Sequence, residues 1–172
     1  VEADALMARG DPRGELIAVQ CELARLGDPP SRASTEWFAP PLETAPALRA
    51  REAALLRKHR RAWTEPARRH AVSDRHVWLY RGHVDRVGWD AYTRFPDGLA
   101  ALVADVPTLK ALDFASAPKS AAFEAIEAFV ESEALAHLEE IDAGPLGPVA
   151  FFALLASPRL TRLDRILWSP PK

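Results

Sequence analysis

Cysteine is nearly absent from this chain, which has a single one, Cys21, among 172 residues. An internal disulfide needs two cysteines and a zinc site built from cysteines needs more, so both are excluded. Long apolar runs are missing as well, since no stretch approaches the ~20 residues that cross a membrane, and no signal-peptide pattern opens the sequence. We therefore expect a cytoplasmic protein without membrane contact.

A strong charge of either sign is also missing. The 22 Lys and Arg residues nearly balance 24 Asp and Glu residues, giving a net charge of -2, so no global field attracts nucleic acid. The chain has no nucleophile elbow, no phosphate-binding glycine loop and no dinucleotide fingerprint. Among its histidines only His83 shares a strand face with a carboxylate, that of Asp85. We predict no enzyme, no catalytic residue, no metal site and no cofactor.

What the sequence does contain is a repeated apolar-polar pattern in its second half. Leu109-Lys110-Ala111-Leu112-Asp113 returns as Leu138-Glu139-Glu140-Ile141-Asp142 and as Leu160-Thr161-Arg162-Leu163-Asp164, with a degenerate first copy at Val84. The starts at 84, 109, 138 and 160 are spaced by 25, 29 and 22 residues, close to the ~20–29 of leucine-rich repeats. Between the predicted strands, residues 98–105, 121–132 and 148–156 have helical patterns, the last with Phe151, Phe152 and Leu155 on its apolar face.

The first half reads as helices separated by a long loop. Gly10 ends a helix, and Asp11-Pro12 starts the next one, which Gly27 ends. Residues 27–46 are rich in proline and form a predicted loop, anchored by Trp37 and Phe38. A further helix is predicted over 47–64, ended by Pro66. Val77 to Trp89 alternates as extended structure with a turn at Gly82.

The run from Arg9 to Ile17, Arg-Gly-Asp-Pro-Arg-Gly-Glu-Leu-Ile, resembles the bacterial repeat-companion domain, which lies N-terminal to leucine-rich repeats in large-genome bacteria. The similarity covers residues 1 to about 90 and continues at Gln20, Leu23, Arg51-Glu52, Leu55-Leu56, His59, Trp63 and Arg81-Gly82. The resemblance implies a cytoplasmic interaction protein without established catalysis. It also implies a further helix upstream of Val1.

The predicted fold is α/β, with a helical N-terminal cap followed by a short leucine-rich-repeat-like solenoid that has a parallel concave sheet. Residues 1–76 form the helical region with its Pro-rich loop, and residues 77–172 form about four degenerate units. One feature departs from leucine-rich repeats. The position that holds Asn or Cys in those repeats is Ala117, Leu146 and Trp168 in the last three units.

A row of aspartates is the predicted functional surface. The residue after the second apolar position of each strand points away from the core, so Asp113, Asp142 and Asp164 line the concave face. Like charges on neighbouring strands repel, so such a row does not help folding. We predict that an unidentified protein partner binds this face, through Arg86, Asp90, Asp113, Glu140, Asp142, Arg162 and Asp164. The alternative, open at this point, is that solvent and the arginines neutralise the row.

A basic helix offers a second, different function. The face of the helix over 49–61 carries Arg57, Lys58, Arg60 and Arg61, which are suited to phosphate contacts. The sequence therefore leaves open a nucleic-acid-associated protein, although a solvated helix face explains the same charges.

Overall fold

The computed structural model describes residues 2–27, 45–89, 98–114, 127, 129–144 and 146–169. The predicted loop with Trp37 and Phe38, and most of the predicted helix over 121–132, lie outside these residues. Contacts divide the chain into a first unit, Val1–Glu65 with Trp78–His83, and a second unit, Pro66–Val77 with Val84–Lys172. The predicted division between residues 76 and 77 falls where the two units alternate along the chain. The fold is mixed α/β with an open, mostly parallel five-stranded sheet, so the predicted class is confirmed.

In the first unit two helices meet at Gly10-Asp11-Pro12. Helix α1 is Glu2–Ala8, and helix α2 is Pro12–Arg25. Gly10 has φ 72°, a left-handed conformation that glycine adopts without strain. The Asp11 carboxylate accepts a hydrogen bond from the Arg13 N–H at 2.9 Å, and Pro12 occupies the first helical position. The predicted helix corner is confirmed.

Gly14 allows the two helices of the corner to pack closely. A Cβ atom at this position would lie 2.6 Å from the carbonyl oxygen of Ala3 and 2.7 Å from the backbone nitrogen of Met7. Backbone atoms do not yield at such distances, so any larger residue pushes α1 away from α2. The glycine therefore serves packing at this corner.

Helix α3 extends over Pro46–Arg68, beyond the predicted 47–64. Pro66 lies inside the helix, so the prediction that it ends the helix is wrong. The fixed φ of proline is helical, and its ring removes only one N–H, so the last turn can close around it. At the start of α3, Leu48 packs against Val19, Leu23 and Ala45, which form a small core of the first unit.

A buried polar network joins α2, α3 and the turn at residue 81 within the first unit. The Gln20 amide donates to Glu52 Oε1 at 2.8 Å and accepts from the Arg81 backbone N–H at 2.6 Å. Arg49 Nη1 donates to the other Glu52 oxygen at 2.8 Å. Both Gln20 and Glu52 are buried, and these bonds replace the water that burial removes. Arg81 (φ 49°) and Gly82 (φ 75°) form the predicted turn, and the Gln20 bond holds Arg81 in its left-handed conformation.

The sheet has the order β1-β2-β3-β4-β5. Its strands are β1 Val77–Tyr80, β2 His83–Gly88, β3 Ala111–Asp113, β4 Glu140–Asp142 and β5 Arg165–Leu167. Strands β2 to β5 pair in parallel without stagger, which creates three rows across the sheet. The first row is Arg86, Ala111, Glu140 and Arg165; the second is Val87, Leu112, Ile141 and Ile166; the third is Gly88, Asp113, Asp142 and Leu167. Because side chains alternate along a strand, the first and third rows share one face of the sheet.

The same backbone bond recurs at each strand junction. Lys110 N–H donates to Asp85, Glu139 N–H donates to Lys110, and Asp164 N–H donates to Glu139, each at 2.8 Å. This recurrence places the start of the fourth predicted repeat at Leu163 and not at Leu160. The predicted repeats thus start at residues 84, 109, 138 and 163, with spacings of 25, 29 and 25 residues. The predicted start of this repeat is three residues too early. The reason is that Leu160 and Leu163 match the apolar spacing of the other repeats as well as Leu163 and Ile166 do.

Burial follows the second row. Val87, Leu112 and Ile141 are fully buried. Leu163, the second apolar position of the fourth predicted strand, is only half-buried, because it precedes β5 instead of occupying its centre. The corrected register also places Trp168 at the position of Phe114 and Ala143, so it is not in the Asn or Cys position of the predicted repeat.

The second unit also contains a buried aromatic cluster and several helices. Trp89 stacks on Phe129 with ring centres 5.5 Å apart, and Phe114 meets Phe129 edge-to-face at 5.3 Å. All three rings are fully buried and dominate this part of the core. The described helices of the unit include the 3₁₀ helix Asp74–His76, α4 Gly98–Asp105, the 3₁₀ helix Glu133–His137 that packs on α4, and α5 Pro148–Leu155. Helices α4 and α5 confirm the predicted segments.

Candidate interaction surface

The first row of the sheet holds a buried ion pair. Arg86 and Glu140 lie on β2 and β4, and the strand between them contributes only the methyl group of Ala111. The Arg86 guanidinium reaches over this methyl group and donates to Glu140 Oε1. The two side chains are only 7% and 8% exposed. Arg165 Nε lies 3.7 Å from the other Glu140 oxygen, so two cations from the same row share one carboxylate.

The third row contains two adjacent aspartates instead of three. Asp113 and Asp142 are side by side, and the next position is Leu167. Asp113 is buried, whereas Asp142 is half-buried and accepts a hydrogen bond from the Gly144 N–H at 3.0 Å. Asp142 therefore stabilises the turn after β4. The predicted three-member row is wrong for Asp164, which precedes β5 and is exposed.

The charged residues at the entrance of the strands form exposed ion pairs. Lys110 Nζ lies 3.1 Å from the Glu139 carboxylate, and Arg162 Nη2 lies 3.1 Å from the same group. Arg162 was predicted on the concave sheet face, but it lies in the turn before β5. Exposed pairs of this kind add little to stability, so these side chains are available to a partner.

The predicted partner-binding residues thus fall into two groups. Arg86, Asp113 and Glu140 are buried, so they cannot contact a partner on the surface of this conformation. Arg162 and Asp164 are exposed, and Asp142 is half-buried. Asp90 lies outside the described residues. The sheet face that carries the first and third rows is therefore mainly an internal polar layer, where the sequence predicted an open binding surface.

The basic face of α3 is largely exposed, as predicted. Arg57, Lys58 and Arg61 are exposed, and Arg60 is half-buried with an interaction of its own. One turn of the same helix carries a stacked pair of rings, those of His59 and Trp63, with centres 5.2 Å apart. Both of these residues are half-buried.

A second exposed feature was missed from the sequence. Val149, Phe152 and Leu155 follow one another at three-residue spacing on α5 and are 66%, 61% and 43% exposed. Phe152 and Leu155 were predicted to face the core, but Phe151 and Leu154 do so instead. Helix α5 is apolar all around, which is unusual for a surface helix. That composition is the signal that predicts a second, outward apolar face.

The exposed face of α5 continues onto β5 through Trp168. The Trp168 ring stacks on buried Phe151 at 4.1 Å and meets exposed Phe152 edge-to-face at 6.2 Å. Trp168 Nε1 donates to the Leu146 carbonyl at 2.9 Å, which fixes the ring. We call this continuous surface the apolar edge, made of Val149, Phe152, Leu155, Trp168 and the outer side of β5.

Three of the described histidines have polar side-chain partners. His70 Nε2 lies 2.6 Å from Asp105 Oδ2, His83 lies 2.9 Å from Glu2, and His76 lies 2.8 Å from Ser73. Among the residues that the structure describes, no three His, Cys, Asp or Glu side chains are grouped so that they could hold a metal ion.

Within the described ranges, no helix combines the length and apolar character needed to cross a membrane. Comparison of the chain with protein-family models, with curated proteins and with solved structures finds no match.

Proposed function

We propose that this chain is a non-catalytic protein-interaction module in which leucine-rich-repeat-like strand–helix units follow a helical cap. The unstaggered parallel register of β2 to β5 supports this proposal, as does the apolar spacing at 109, 112 and 114. The Gly-Asp-Pro-Arg-Gly-Glu sequence supports the repeat-companion part, because its first five residues, Gly10 to Gly14, fit the helix corner. We assign no catalytic residue and no cofactor.

The observation that carries the proposal is the apolar edge. A phenylalanine, a valine and a leucine exposed on one helix face leave apolar area in water, and each Å² buried by a partner contributes roughly 25 cal/mol. The binding surface that we propose is therefore at this edge, with Arg162 and Asp164 at its rim, and not at the centre of the concave face.

The experiment is affinity capture from native cells with the full chain as bait, quantified by mass spectrometry. Phe152→Asp places a charge at the centre of the apolar edge and should abolish capture of the specific partner. Ala101→Asp, at an exposed position of α4, is the matched control and should leave capture unchanged. Equal capture by both variants, or no enrichment over the tag alone, contradicts the proposal.

The second candidate function is nucleic-acid association through α3. Three exposed cations beside the half-buried His59–Trp63 stack favour it, because phosphates pair with cations and bases stack on rings. Binding to generic single-stranded DNA that weakens steeply with salt, and that is lost in Arg57→Gln/Lys58→Gln/Arg61→Gln, supports this candidate. Absence of binding at low salt rejects it.

A further inference from the structure

Strand β5 has a hydrogen-bonding side that no described strand occupies. Arg165 N–H donates to Glu139, and Ala143 N–H donates to the Leu167 carbonyl. In a parallel ladder, alternate residues direct both backbone groups to the same neighbour. Arg165 and Leu167 therefore face β4, and the N–H and C=O of Ile166 point to the opposite side. An open strand edge of this kind readily accepts another strand.

The open backbone groups lie beside the exposed apolar side chains. Helix α5 is joined to the end of β5 by the Phe151–Trp168 stack, and Phe152 contacts the same indole from the exposed side. Ile166 and Trp168 are themselves only half-buried. A partner that forms hydrogen bonds with the backbone N–H and C=O of Ile166 can thus also cover the Phe152 side chain. A single contact surface then combines main-chain hydrogen bonds with apolar burial.

We propose that the occupant of the apolar edge is a second copy of this chain, with β5 pairing antiparallel to β5 of the copy about a two-fold axis at Ile166. This proposal rests on the proposed interaction function. In an antiparallel ladder, two residues directly opposite each other can exchange both of their N–H···O=C bonds. Such a pair needs one residue with both groups on the outer side at the centre of the strand, and Ile166 is that residue. The contact is isologous and closes, as most dimer contacts do.

The charges around the edge are compatible with self-pairing. With the axis at Ile166, Arg165 of each copy lies opposite Leu167 of the other, so no like charges face each other directly. Asp164 of each copy lies opposite Trp168 of the other. The rim holds both signs, with Arg162 paired to Glu139 and with exposed Asp164 next to exposed Arg165. A balanced rim allows two identical surfaces to approach, whereas a surface of one sign would repel its copy.

The test is sedimentation equilibrium of the full chain from about 1 to 100 μM, a range that detects micromolar dissociation constants. We expect a reversible dimer. Ile166→Pro removes the outward N–H while sparing the bonds to β4. Ile166→Ala is its control, because it removes more of the side chain than Ile166→Pro does and keeps the N–H, so any extra weakening by proline reports the lost hydrogen bond. Ile166→Pro and Phe152→Asp should each weaken the dimer at least about tenfold relative to their controls, Ile166→Ala and Ala101→Asp. Circular dichroism verifies that each variant is folded.

A monomeric wild-type chain over this range overturns the proposal of a second copy. If capture from cells remains sensitive to Phe152→Asp in that case, the interaction function stands and only the identity of the partner is wrong. A dimer that Phe152→Asp and Ile166→Pro leave unchanged also overturns the proposal, because its contact lies elsewhere.

Discussion

The Arg86–Glu140 pair is the residue-scale feature with the greatest expected effect on stability. Both charges are buried, so the Arg86 guanidinium depends on the Glu140 carboxylate for the interactions that water would supply. We predict that Glu140→Gln lowers the free energy of unfolding by roughly 3–5 kcal/mol, because it leaves the Arg86 charge buried without its carboxylate. Urea denaturation measures this change.

The matched control for this prediction is Glu139→Gln, one residue away. Glu139 makes ion pairs with Lys110 and Arg162 at the surface, so its loss should change stability by only about 0–1 kcal/mol. Similar small effects of both substitutions would contradict the assignment of Glu140 to the interior.

Asp11 gives a residue-scale prediction about pH. The hydrogen bond from the Arg13 guanidinium, together with that from the Arg13 N–H, lowers the pKa of the Asp11 carboxyl below its usual range. A lowered pKa in the folded state means that ionised Asp11 stabilises the fold above its unfolded pKa of about 3.9, and that this contribution is lost as pH falls through the folded value.

Asp11→Asn tests this pH dependence, because asparagine caps helices comparably well but carries no charge. The stability difference between wild type and Asp11→Asn should be constant from pH 7 to 5 and should shrink below about pH 4. Urea titrations at each pH measure the difference. In an Arg13→Gln background the difference should be smaller, because only the bond from the residue-13 N–H remains, and a wild-type difference that is undiminished at pH 3 would refute the mechanism.

At the scale of elements, the α1–α2 corner depends on the absence of a side chain at Gly14. Alanine has the higher helix propensity by about 1 kcal/mol, but its Cβ would meet the Ala3 carbonyl and the Met7 nitrogen. We predict that Gly14→Ala destabilises the chain by roughly 1–3 kcal/mol, as overpacking does. Thermal and urea unfolding measure it.

Gly147 provides the control for the corner. Nothing lies within 4 Å of a Cβ built there, and its φ of -61° suits any residue. Gly147→Ala should therefore change stability by less than about 1 kcal/mol. If Gly14→Ala leaves the free energy of unfolding unchanged or raises it, α1 does not pack on α2 as described.

The strand register makes the second element-scale prediction. Ile141→Ala removes a fully buried side chain from the centre of β4 and should cost roughly 2–5 kcal/mol. Leu163→Ala should cost clearly less, because Leu163 precedes β5 and is half-buried. Equal losses would instead favour the register in which Leu163 is the central residue of the fourth strand.

That register also marks the limit of prediction at the scale of elements. The helix corner was predictable, because Gly, Asp and Pro each have a local conformational preference. The fourth strand was not, because two overlapping apolar spacings compete there. Only the backbone bonds from Asp164 and Arg165 to the Glu139 carbonyl choose between them.

At the scale of the whole molecule, the class was predictable and the candidate binding surface was not. A repeated apolar spacing separated by helical segments favours parallel strands, and β2 to β5 confirm this. The sequence also predicts which residues alternate to which face of a strand. It does not predict what covers each face, so Arg86, Asp113 and Glu140 were expected at a surface and are buried.

The sequence by itself determined the features that depend on neighbours along the chain: the corner at Gly10 to Gly14, the turn at Gly82, the helices α4 and α5, and the parallel strand units. The tertiary structure decided the features that depend on distant residues, namely the start of the fourth unit, the ion pair across Ala111 and the exposure of Phe152. The reason is physical. Backbone preferences act over a few residues, whereas burial and register are set by which segments pack together, and an apolar helix such as α5 can turn either face inward.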